Sequence, residues 1–480
     1  MIDHIKQLEA MARQLEPDAQ ARQQLLAQVT TYAEHFLQGL ADAPVFVSGT
    51  DNGRSLYDSP ISETGTGIEA ALQTIQTSVD RPNLNPASPH FLGYIPGGGL
   101  YPSALGDYLA AVSNRFAGVY YAAPGAVRLE NMLLQWMAEL VGYPATMAGN
   151  LASGGSIAQL IAIVTARETC GIQPADIGRA VIYTTEQVHH SVEKAIRIAG
   201  LATAGQHPIP TDSHYRMDAT ALEQAIIQDK QAGLRPWLVI ASAGTTNVGA
   251  VDPLTAVGDI ARQHNLWYHI DGAYGAFFVL CEEGRKVLAG MDKSDSIIMD
   301  PHKGLFLPYG TGAVLVKNRQ HLYQAHHASA DYMQDTLDMA EELAPSDLSP
   351  ELTKHFRGLR LWLPLKLFGV APFRAALAEK IELARYFYHK IQEIDGFEVG
   401  PYPDLSVVTY RYVPPRGSTN AFNQRLIQEI VRDGRIFISS TQLNGNFVLR
   451  LAVLNFRTHL ETIDMTLEIL AEKVRSVGGY

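Results

Sequence analysis

The stretch Ser296-Ile-Ile-Met-Asp-Pro-His-Lys303 decides the fold of this chain, and a second stretch, Tyr268-His-Ile-Asp271, lies upstream of it. Each begins as a short apolar run, which is typical of a buried strand, and each ends in polar residues. In open sheets of parallel strands, ligands bind outside the carboxyl ends of the strands. We therefore expect Lys303 and Asp271 to serve one site at the edge of an α/β sheet.

Length and composition limit the class of protein. The chain has 480 residues, of which 46% are hydrophobic and 18% charged, as in ordinary globular enzymes with more than one domain. The net charge of −11 gives no electrostatic support for nucleic-acid binding. Two cysteines, Cys170 and Cys281, fit a reducing compartment. We find neither a secretion signal nor an apolar stretch that could span a membrane, so we expect a cytoplasmic protein without membrane contact.

The order of predicted helices and strands indicates three regions. Residues 1–103 form a segment of helices and loops, residues 104–360 a large domain, and residues 361–480 a small α+β domain. In the large domain helices alternate with strands, which predicts a mainly parallel sheet. Its predicted strands are Ala180–Tyr183, Trp237–Ala241, Trp267–Ile270, Ser296–Met299 and Gly312–Val316.

Two segments outside the sheet also lead to predictions. Apolar residues recur at helical spacing over residues 1–40, with Pro17 between two helices, and such a stripe needs another surface to cover it. The stretch Gln334–Thr353 is acidic and contains Pro345 and Pro350, which favours a mobile loop on the surface.

Lys303 and Asp271 together point to pyridoxal 5′-phosphate (PLP) chemistry. A PLP enzyme needs a lysine amine that forms an imine with the cofactor aldehyde, and a carboxylate that keeps the pyridine nitrogen protonated. The apolar surroundings of Lys303 are expected to lower its pKa. Ala273 is small enough to let the ring lie flat. Taken singly, Lys303 could be an exposed loop lysine, and Asp271 a structural residue that caps the turn before Gly272.

The turn Ser153-Gly-Gly-Ser156 is the candidate phosphate site. Its glycines let main-chain N–H groups approach an oxyanion, and the helix that follows contributes positive potential at its N-terminus. An ordinary helix cap, with Ser156 as the capping residue, has the same sequence. The turn lacks the G-x-G-x-x-G fingerprint, which argues against a nicotinamide enzyme.

Three further residues are candidates for contact with a cofactor or substrate. His189 could stack flat on the pyridine ring or could cap a helix. The pair His189-His190 suggests a metal, but no third ligand at a familiar spacing accompanies it, so we expect none. The Thr246 hydroxyl could bond the ring phenolate oxygen, and His302 could touch the phosphate or the substrate.

These residues lie in sequence blocks that resemble the group II PLP-dependent amino-acid decarboxylases, most closely the aromatic amino-acid decarboxylases and their bacterial relatives. The blocks follow the family's order and span about residues 80 to 460. They are His90-Phe91, Ser153-Gly-Gly-Ser156, Gln187-Val-His-His-Ser-Val-Glu-Lys194, Ala243-Gly-Thr-Thr246, His269-Ile-Asp-Gly-Ala-Tyr274, Asp300-Pro-His-Lys303 and Phe356-Arg-Gly-Leu-Arg-Leu-Trp362.

The resemblance implies fold-type I of the PLP-dependent enzymes. That fold has a large α/β domain with a mainly parallel seven-stranded sheet, an N-terminal helical segment and a small C-terminal α+β domain. It also implies an obligate homodimer, in which the N-terminal helices wrap over the partner subunit and so cover the stripe at residues 1–40. The active sites would then lie at the dimer interface, with Tyr309 approaching the neighbour's cofactor.

The resemblance also assigns roles to the candidate residues. Lys303, Asp271 and His189 would be catalytic: the lysine carries the cofactor, the aspartate faces its pyridinium nitrogen, and the histidine stacks on its ring. The remaining cofactor contacts would be Gly155, Ser156 and Asp300 at the phosphate, Thr246 near the ring oxygen, and Ala273 under the ring.

Two positions depart from the family pattern. Residue 300 is an aspartate where the animal aromatic decarboxylases carry an asparagine, so its contact with the phosphate is in doubt. The aromatic enzymes also place on a mobile loop a tyrosine that returns a proton to the carbanion, and residues 334–352 contain no tyrosine. Tyr332 fits better the family's structural tyrosine. The proton donor is therefore unassigned, and an aldehyde product becomes an alternative.

The resemblance implies decarboxylation of an L-amino acid to the amine and carbon dioxide. Phe91, Tyr94 and Ile95 suggest an apolar wall for an aromatic substrate, although they could equally be packing residues. Another PLP-dependent carbon–carbon lyase, or an oxidative decarboxylase that gives an aldehyde, is the enzymatic alternative. A PLP-binding regulatory protein is the alternative outside catalysis.

Overall fold

The computed structural model describes residues 1–48, 52–327 and 342–478. Tyr332, and the stretch Gln334–Thr353 up to residue 341, lie outside these residues, so the predicted mobile loop stays a prediction. The remainder of that stretch is packed: it contains a short 3₁₀ helix, Pro345–Asp347, and its Leu348 side chain is buried.

The chain divides into two compact units. The predicted boundaries at residues 103 and 360 are a different division and stay predictions. The smaller unit comprises Met1–Phe91 and Ile430–Phe437, and the larger unit comprises Leu92–Glu429 and Ile438–Tyr480.

The smaller unit is mainly helical. Two helices flank Pro17, as the apolar spacing predicts, and none of their residues is buried. Met11 and Leu15 are 69% and 87% exposed, so the apolar stripe remains open to solvent in a single chain. The elements are helices α1 (Ile2–Ala12), α2 (Ala19–Gln38) and α3 (Ile68–Ile75), with antiparallel strands β1 (Phe46–Val47) and β2 (Asn83–Leu84).

A seven-stranded sheet forms the core of the larger unit. Six strands run in one direction and one, Gly312–Val316, runs antiparallel to both of its neighbours, which confirms the predicted mainly parallel sheet. In spatial order the strands are β3 (Ala148–Ala152), β9 (Gly312–Val316), β8 (Ser296–Met299), β7 (Trp267–Asp271), β6 (Arg235–Ser242), β4 (Ala180–Thr185) and β5 (Gly205–Ile209).

Both faces of this sheet are buried. Its strands are apolar throughout, so the side chains that point to either face are apolar. In β8, Ile297 and Met299 belong to one hydrophobic cluster and Ile298 to the other. The neighbouring strand β9 repeats the pattern, with Leu315 in the first cluster and Val314 in the second. Successive side chains of a strand point to opposite faces, so a run without polar residues requires cover on both sides.

Helices provide that cover. The described helices after residue 91 are α4 (Tyr101–Ser113), α5 (Pro124–Val141), α6 (Gly155–Thr169), α7 (His190–Ile198), α8 (Ala219–Gln231), α9 (Leu254–His264), α10 (Glu282–Val287), α11 (Pro301–Gly304), α12 (Arg319–His326), α13 (Gly358–Phe368), α14 (Ala371–Ile391), α15 (Thr419–Asp433) and α16 (Leu460–Gly478). Among the described residues no single helix combines the length and apolarity needed to cross a membrane, although α13 and α14, bent by 94°, meet the criteria as a pair.

A second, four-stranded sheet lies in the C-terminal part of the chain. All of its neighbouring strands are antiparallel. In spatial order they are β10 (Phe397–Val399), β11 (Val407–Tyr412), β13 (Asn446–Ala452) and β12 (Ser439–Leu443).

A buried ion pair connects three segments beside the large sheet. Lys354 Nζ lies 2.7 Å from Glu130 Oε1 and 3.3 Å from Asn150 Oδ1. Glu130 Oε1 also accepts a hydrogen bond from the Leu151 N–H at 3.0 Å. The Lys354 and Glu130 side chains are 0% and 1% exposed, so each charge depends on the other for compensation.

Lys354→Ala should lower the free energy of unfolding by about 3–5 kcal/mol, because Glu130 would keep a buried charge without its cation. Urea unfolding followed by tryptophan fluorescence measures the change. The control is Lys286→Ala, which removes the partner of Glu282 from an exposed pair and should leave the unfolding midpoint where it is. Equal midpoints for the two variants would contradict the prediction.

Candidate active site

A cavity of about 300 Å³ lies where the carboxyl ends of the parallel strands meet. Each of its walls begins at the end of one strand, as expected for a ligand site in a sheet of this kind. The lining residues are 153–157 after β3, Gln187, His189 and Ser191 after β4, Ser242 and 244–246 at the end of β6, Asp271, Ala273 and Tyr274 at the end of β7, and Ile298, Asp300, His302 and Lys303 around the end of β8.

Lys303 and Asp300 form an ion pair in this cavity. Lys303 Nζ lies 2.9 Å from Asp300 Oδ2, and the Asp300 side chain is 1% exposed. Burial alone would lower the pKa of Lys303, but the charge and hydrogen bond of Asp300 outweigh it, and the pKa is raised. The predicted lowering of this pKa is therefore wrong for the chain without cofactor. Asp300 lies three positions before Lys303 in the sequence, but only the structure shows that the two side chains are within hydrogen-bond distance.

Asp271 is buried at the end of β7. Its Oδ1 accepts a hydrogen bond from the Ala273 N–H at 3.2 Å, so it does cap the turn, the structural alternative for this residue. It also lines the cavity together with Lys303. Burial raises the pKa of Asp271, and the positive charge of Lys303 opposes the rise. A cationic N–H at this point would stabilise the ionised carboxylate, which fits a protonated pyridine nitrogen.

His189 both caps a helix and lines the cavity. It precedes α7, and its Nδ1 accepts the Ser191 N–H at 3.2 Å, which assigns the ring hydrogen to Nε2. Burial, with the nearby His190 and Lys303, lowers the pKa of His189 to about 4. At neutral pH the cavity therefore contains an uncharged imidazole. Capping and ring stacking, which the sequence left as alternatives, are compatible with each other.

The glycine turn begins α6. The first N–H groups of a helix have no carbonyl partner within it, so an anion at this turn would receive them. Gly155 and Ser156 both line the cavity, and a Cβ atom on Gly155 would lie 2.8 Å from Asp300 Oδ2. The turn and Asp300 are thus in contact. An oxyanion site, a buried acid and a lysine in one cavity match the phosphate, pyridine nitrogen and aldehyde of PLP.

The remaining predicted contacts also reach the cavity. Thr246 and Ala273 both belong to its lining. His302 does so as well, and its Nδ1 bonds the Thr311 carbonyl oxygen at 2.5 Å. Burial lowers the pKa of His302, so it is a second neutral imidazole at the site.

Phe91, Tyr94 and Ile95 are the residues predicted to form a substrate wall. Phe91 is 2% exposed and stacks on Phe437 with 5.0 Å between ring centroids, inside the smaller unit. Tyr94 is 57% exposed, whereas Ile95 packs against the hydrophobic core. Within the larger unit, the described lining includes neither Tyr94 nor Ile95. Substrate contact by these three residues stays a prediction.

Sequence reasoning assigned no role to Ser242, which lines the cavity. Its N–H donates to Asp252 Oδ2 at 2.7 Å, and the Met217 N–H donates to Asp252 Oδ1 at the same distance. Burial raises the pKa of Asp252 to about 6. Its place in the sequence could have identified Ser242 as a site residue, because it ends an apolar strand and directly precedes the block Ala243-Gly-Thr-Thr246.

A buried arginine, Arg450, was also missed. It is 3% exposed in the middle of β13, where its sequence context is apolar. Its three nitrogens donate to the Asn247 carbonyl at 3.0 Å, the Ser439 hydroxyl at 2.9 Å and the Tyr94 carbonyl at 3.2 Å. Each nitrogen of the guanidinium is therefore engaged by the protein itself.

Comparisons with known proteins point to one family. The pyridoxal-dependent decarboxylase conserved domain matches residues 54–413. The chain is 34% identical over 473 residues to an aromatic-L-amino-acid decarboxylase of Bacillus atrophaeus, which covers 97% of this chain and 98% of the relative. It is 29% identical over 380 residues to a phenylacetaldehyde synthase of Arabidopsis thaliana, covering 76% of this chain and 78% of the relative.

A solved structure agrees with this. The crystal structure of Oryza sativa TDC with PLP and tryptamine has a TM-score of 0.90 and 26% sequence identity. The match covers 96% of this chain and 98% of that chain. The resemblance found in the sequence blocks is thereby confirmed, as are the α/β fold and the PLP cofactor it implied.

Gly312→Ala should weaken PLP binding at least about tenfold. A Cβ atom at Gly312 would lie 2.5 Å from the carbonyl carbon of Gly154 and 2.7 Å from Asp300 Oδ1, so the phosphate turn would have to move. Fluorescence titration of the apoprotein with PLP measures the affinity. Gly178→Ala is the matched control, because nothing lies within 4 Å of a Cβ atom there. Unchanged affinity in both variants would show that this turn does not hold the cofactor.

Proposed function

The chain belongs to the pyridoxal-dependent decarboxylase family, and we propose that it converts an aromatic L-amino acid to the amine and carbon dioxide. The observation that carries the proposal is the meeting of Lys303, the buried Asp271 and the glycine turn in one cavity. No pair of these is close in sequence, so their meeting is a property of the fold.

Each residue contributes one function in this proposal. PLP, when bound, supplies a ring that withdraws the electrons left at the α-carbon as the carboxylate departs. Lys303 Nζ is the point of attachment, and Asp271 keeps a proton on the pyridine nitrogen. The N–H groups of the turn at Gly155 and Ser156 hold the phosphate. The neutral His189 imidazole covers one face of the ring without adding a charge that would compete with it.

An aromatic side chain is the proposed specificity. The relative from Bacillus atrophaeus is an aromatic-L-amino-acid decarboxylase, which supports it. An acidic substrate would need a cation to receive its side chain. In the described lining Lys303 is the only lysine or arginine, and Arg450 is engaged by Asn247, Ser439 and Tyr94. An apolar wall that includes Phe91, Tyr94 and Ile95 remains part of the proposal.

An aldehyde product is the second candidate. Two observations favour it: residues 334–352 contain no tyrosine, and the chain is similar to a phenylacetaldehyde synthase. Such a reaction consumes dioxygen and water, and releases carbon dioxide, ammonia and hydrogen peroxide along with the aldehyde. Product analysis distinguishes the two candidates without any change to the protein.

The decisive experiment is a screen of carbon dioxide release from the twenty common amino acids, DOPA and 2,4-diaminobutyrate, with amine, aldehyde and peroxide measured alongside. We expect release from aromatic substrates with the amine as product. Lys303→Ala should reduce release to background and remove the yellow absorbance of bound PLP, because no amine remains to hold the aldehyde. Retained turnover in Lys303→Ala, or release from none of the substrates, would refute the proposal.

A cytoplasmic homodimer is the proposed form of the enzyme. The open apolar stripe in the first helices supports it, since Met11 in α1 and Leu15 just after it are the kind of residue that an interface covers. Exposed apolar residues of α4, among them Leu109 and Val112, at 48% and 67%, give a second surface of the same character. The compartment is proposed from the cysteine content alone, two in 480 residues.

Sedimentation should give the mass of two chains for the wild type. The double variant Leu8→Asp with Met11→Asp should sediment as a monomer, because two charges would be buried without partners in the interface. Leu460→Asp is the control: it changes an apolar residue of similar exposure, 49%, outside the N-terminal helices. A monomeric wild type would contradict the proposed assembly.

A further inference from the structure

Asp300 carries an incompletely bonded carboxylate at the glycine end of the cavity. Its Oδ2 is paired with Lys303 Nζ at 2.9 Å. Its Oδ1 is buried and has no hydrogen-bond partner among the described residues. A buried polar atom without a partner is costly, so native proteins nearly always complete it. The unpartnered oxygen points to a ligand group that supplies the missing bond.

The backbone holds that oxygen against the turn that begins α6. A Cβ atom on Gly312 would lie 2.7 Å from Asp300 Oδ1, and one on Gly155 would lie 2.8 Å from Oδ2. Asp300, Gly154, Gly155 and Ser156 all line the cavity. The positive end of the helix dipole favours an anion at this turn. An anion held there would therefore lie beside a carboxylate of the same sign.

Two like charges at such short range require either a cation or a proton between them. In the chain without ligand, Lys303 is the cation. Bonding of Lys303 Nζ to the cofactor aldehyde would take it out of this ion pair, and Asp300 would then need another partner. The ion pair therefore compensates Asp300 only while Lys303 Nζ is a free amine.

The other charged and titratable groups around Asp300 do not replace Lys303. His302 Nε2 lies 3.7 Å from Asp300 Oδ2, but burial lowers the pKa of His302. His189 is also neutral, since its pKa is lowered to about 4, chiefly by burial. Asp271, the other acid in the cavity lining, cannot supply a cation. Arg360 donates a hydrogen bond to the Thr311 hydroxyl and is ion-paired with Asp107.

We propose that Asp300 takes up one proton from solvent when PLP binds, and that the protonated carboxyl group donates its Oδ1–H to a phosphate oxygen. The step moves a proton only, and no other bond changes at Asp300. It makes Asp300 a cofactor-binding residue whose affinity for the phosphate depends on pH. The proposal rests on PLP as the cofactor but not on the identity of the substrate.

The test compares PLP affinity of the wild type and Asp300→Asn from about pH 6 to about pH 9, a span wide enough to measure a slope against pH. Asparagine keeps the shape and offers an N–H donor that needs no proton from solvent. The ratio of the wild-type Kd to the variant Kd should rise with pH, approaching about tenfold per pH unit. Asp259→Asn, which changes a carboxylate outside the cavity lining, should keep the wild-type pH profile.

An infrared difference spectrum of the wild type provides a second measurement that needs no variant. Adding PLP to the apoprotein should produce the carbonyl stretch of a protonated carboxyl group, and Asp300→Asn should lack it. The absence of that band in the wild type, or a Kd ratio that does not change with pH, would overturn the proposal. A wild type that binds no PLP would overturn both this proposal and the proposed function. Normal pH-dependent binding without carbon dioxide release would overturn only the latter.

Discussion

The large sheet is covered on both faces, and this constraint determines where the protein can do chemistry. Strands such as β8 and β9 place one set of apolar side chains in each of two hydrophobic clusters, so neither face is open to a ligand. Only the strand ends remain, and the parallel strands bring their carboxyl ends to the same edge. Polar residues that follow those strands, among them Asp271 and Lys303, are therefore collected in one cavity.

The balance of charge inside that cavity depends on the ion pair between Lys303 and Asp300. Asp300 and Asp271 are both buried acids, and Lys303 is the only permanent cation in the described lining. The 2.9 Å pair with Asp300 raises the pKa of Lys303 despite burial, and the neutral His189 and His302 add no charge of their own. A ligand that removes Lys303 from this pair changes the balance of charge for the whole site.

Strands rich in residues that favour strand structure could be predicted from the sequence, and strands poor in such residues could not. β8 and β9 are rich in isoleucine and valine, and both were predicted with the ends that the structure has. β3, Ala-Gly-Asn-Leu-Ala, and β5, Gly-Gln-His-Pro-Ile, were missed because they contain few residues that favour strands. Pairing with neighbours makes them strands. The hairpin at β12 had a local signal, Asn444-Gly445, with positive φ at both residues, which was overlooked.

The sequence by itself determined which chemical groups the site contains and which strand each of them follows, because alternation and strand ends are local properties of the chain. Only the tertiary structure decided the distances between those groups. The state of Lys303 follows from its distance to Asp300, and the absence of Tyr94 and Ile95 from the described cavity lining follows from packing within the larger unit. Charge coupling and side-chain contact depend on separations in space, which no local pattern of residues encodes.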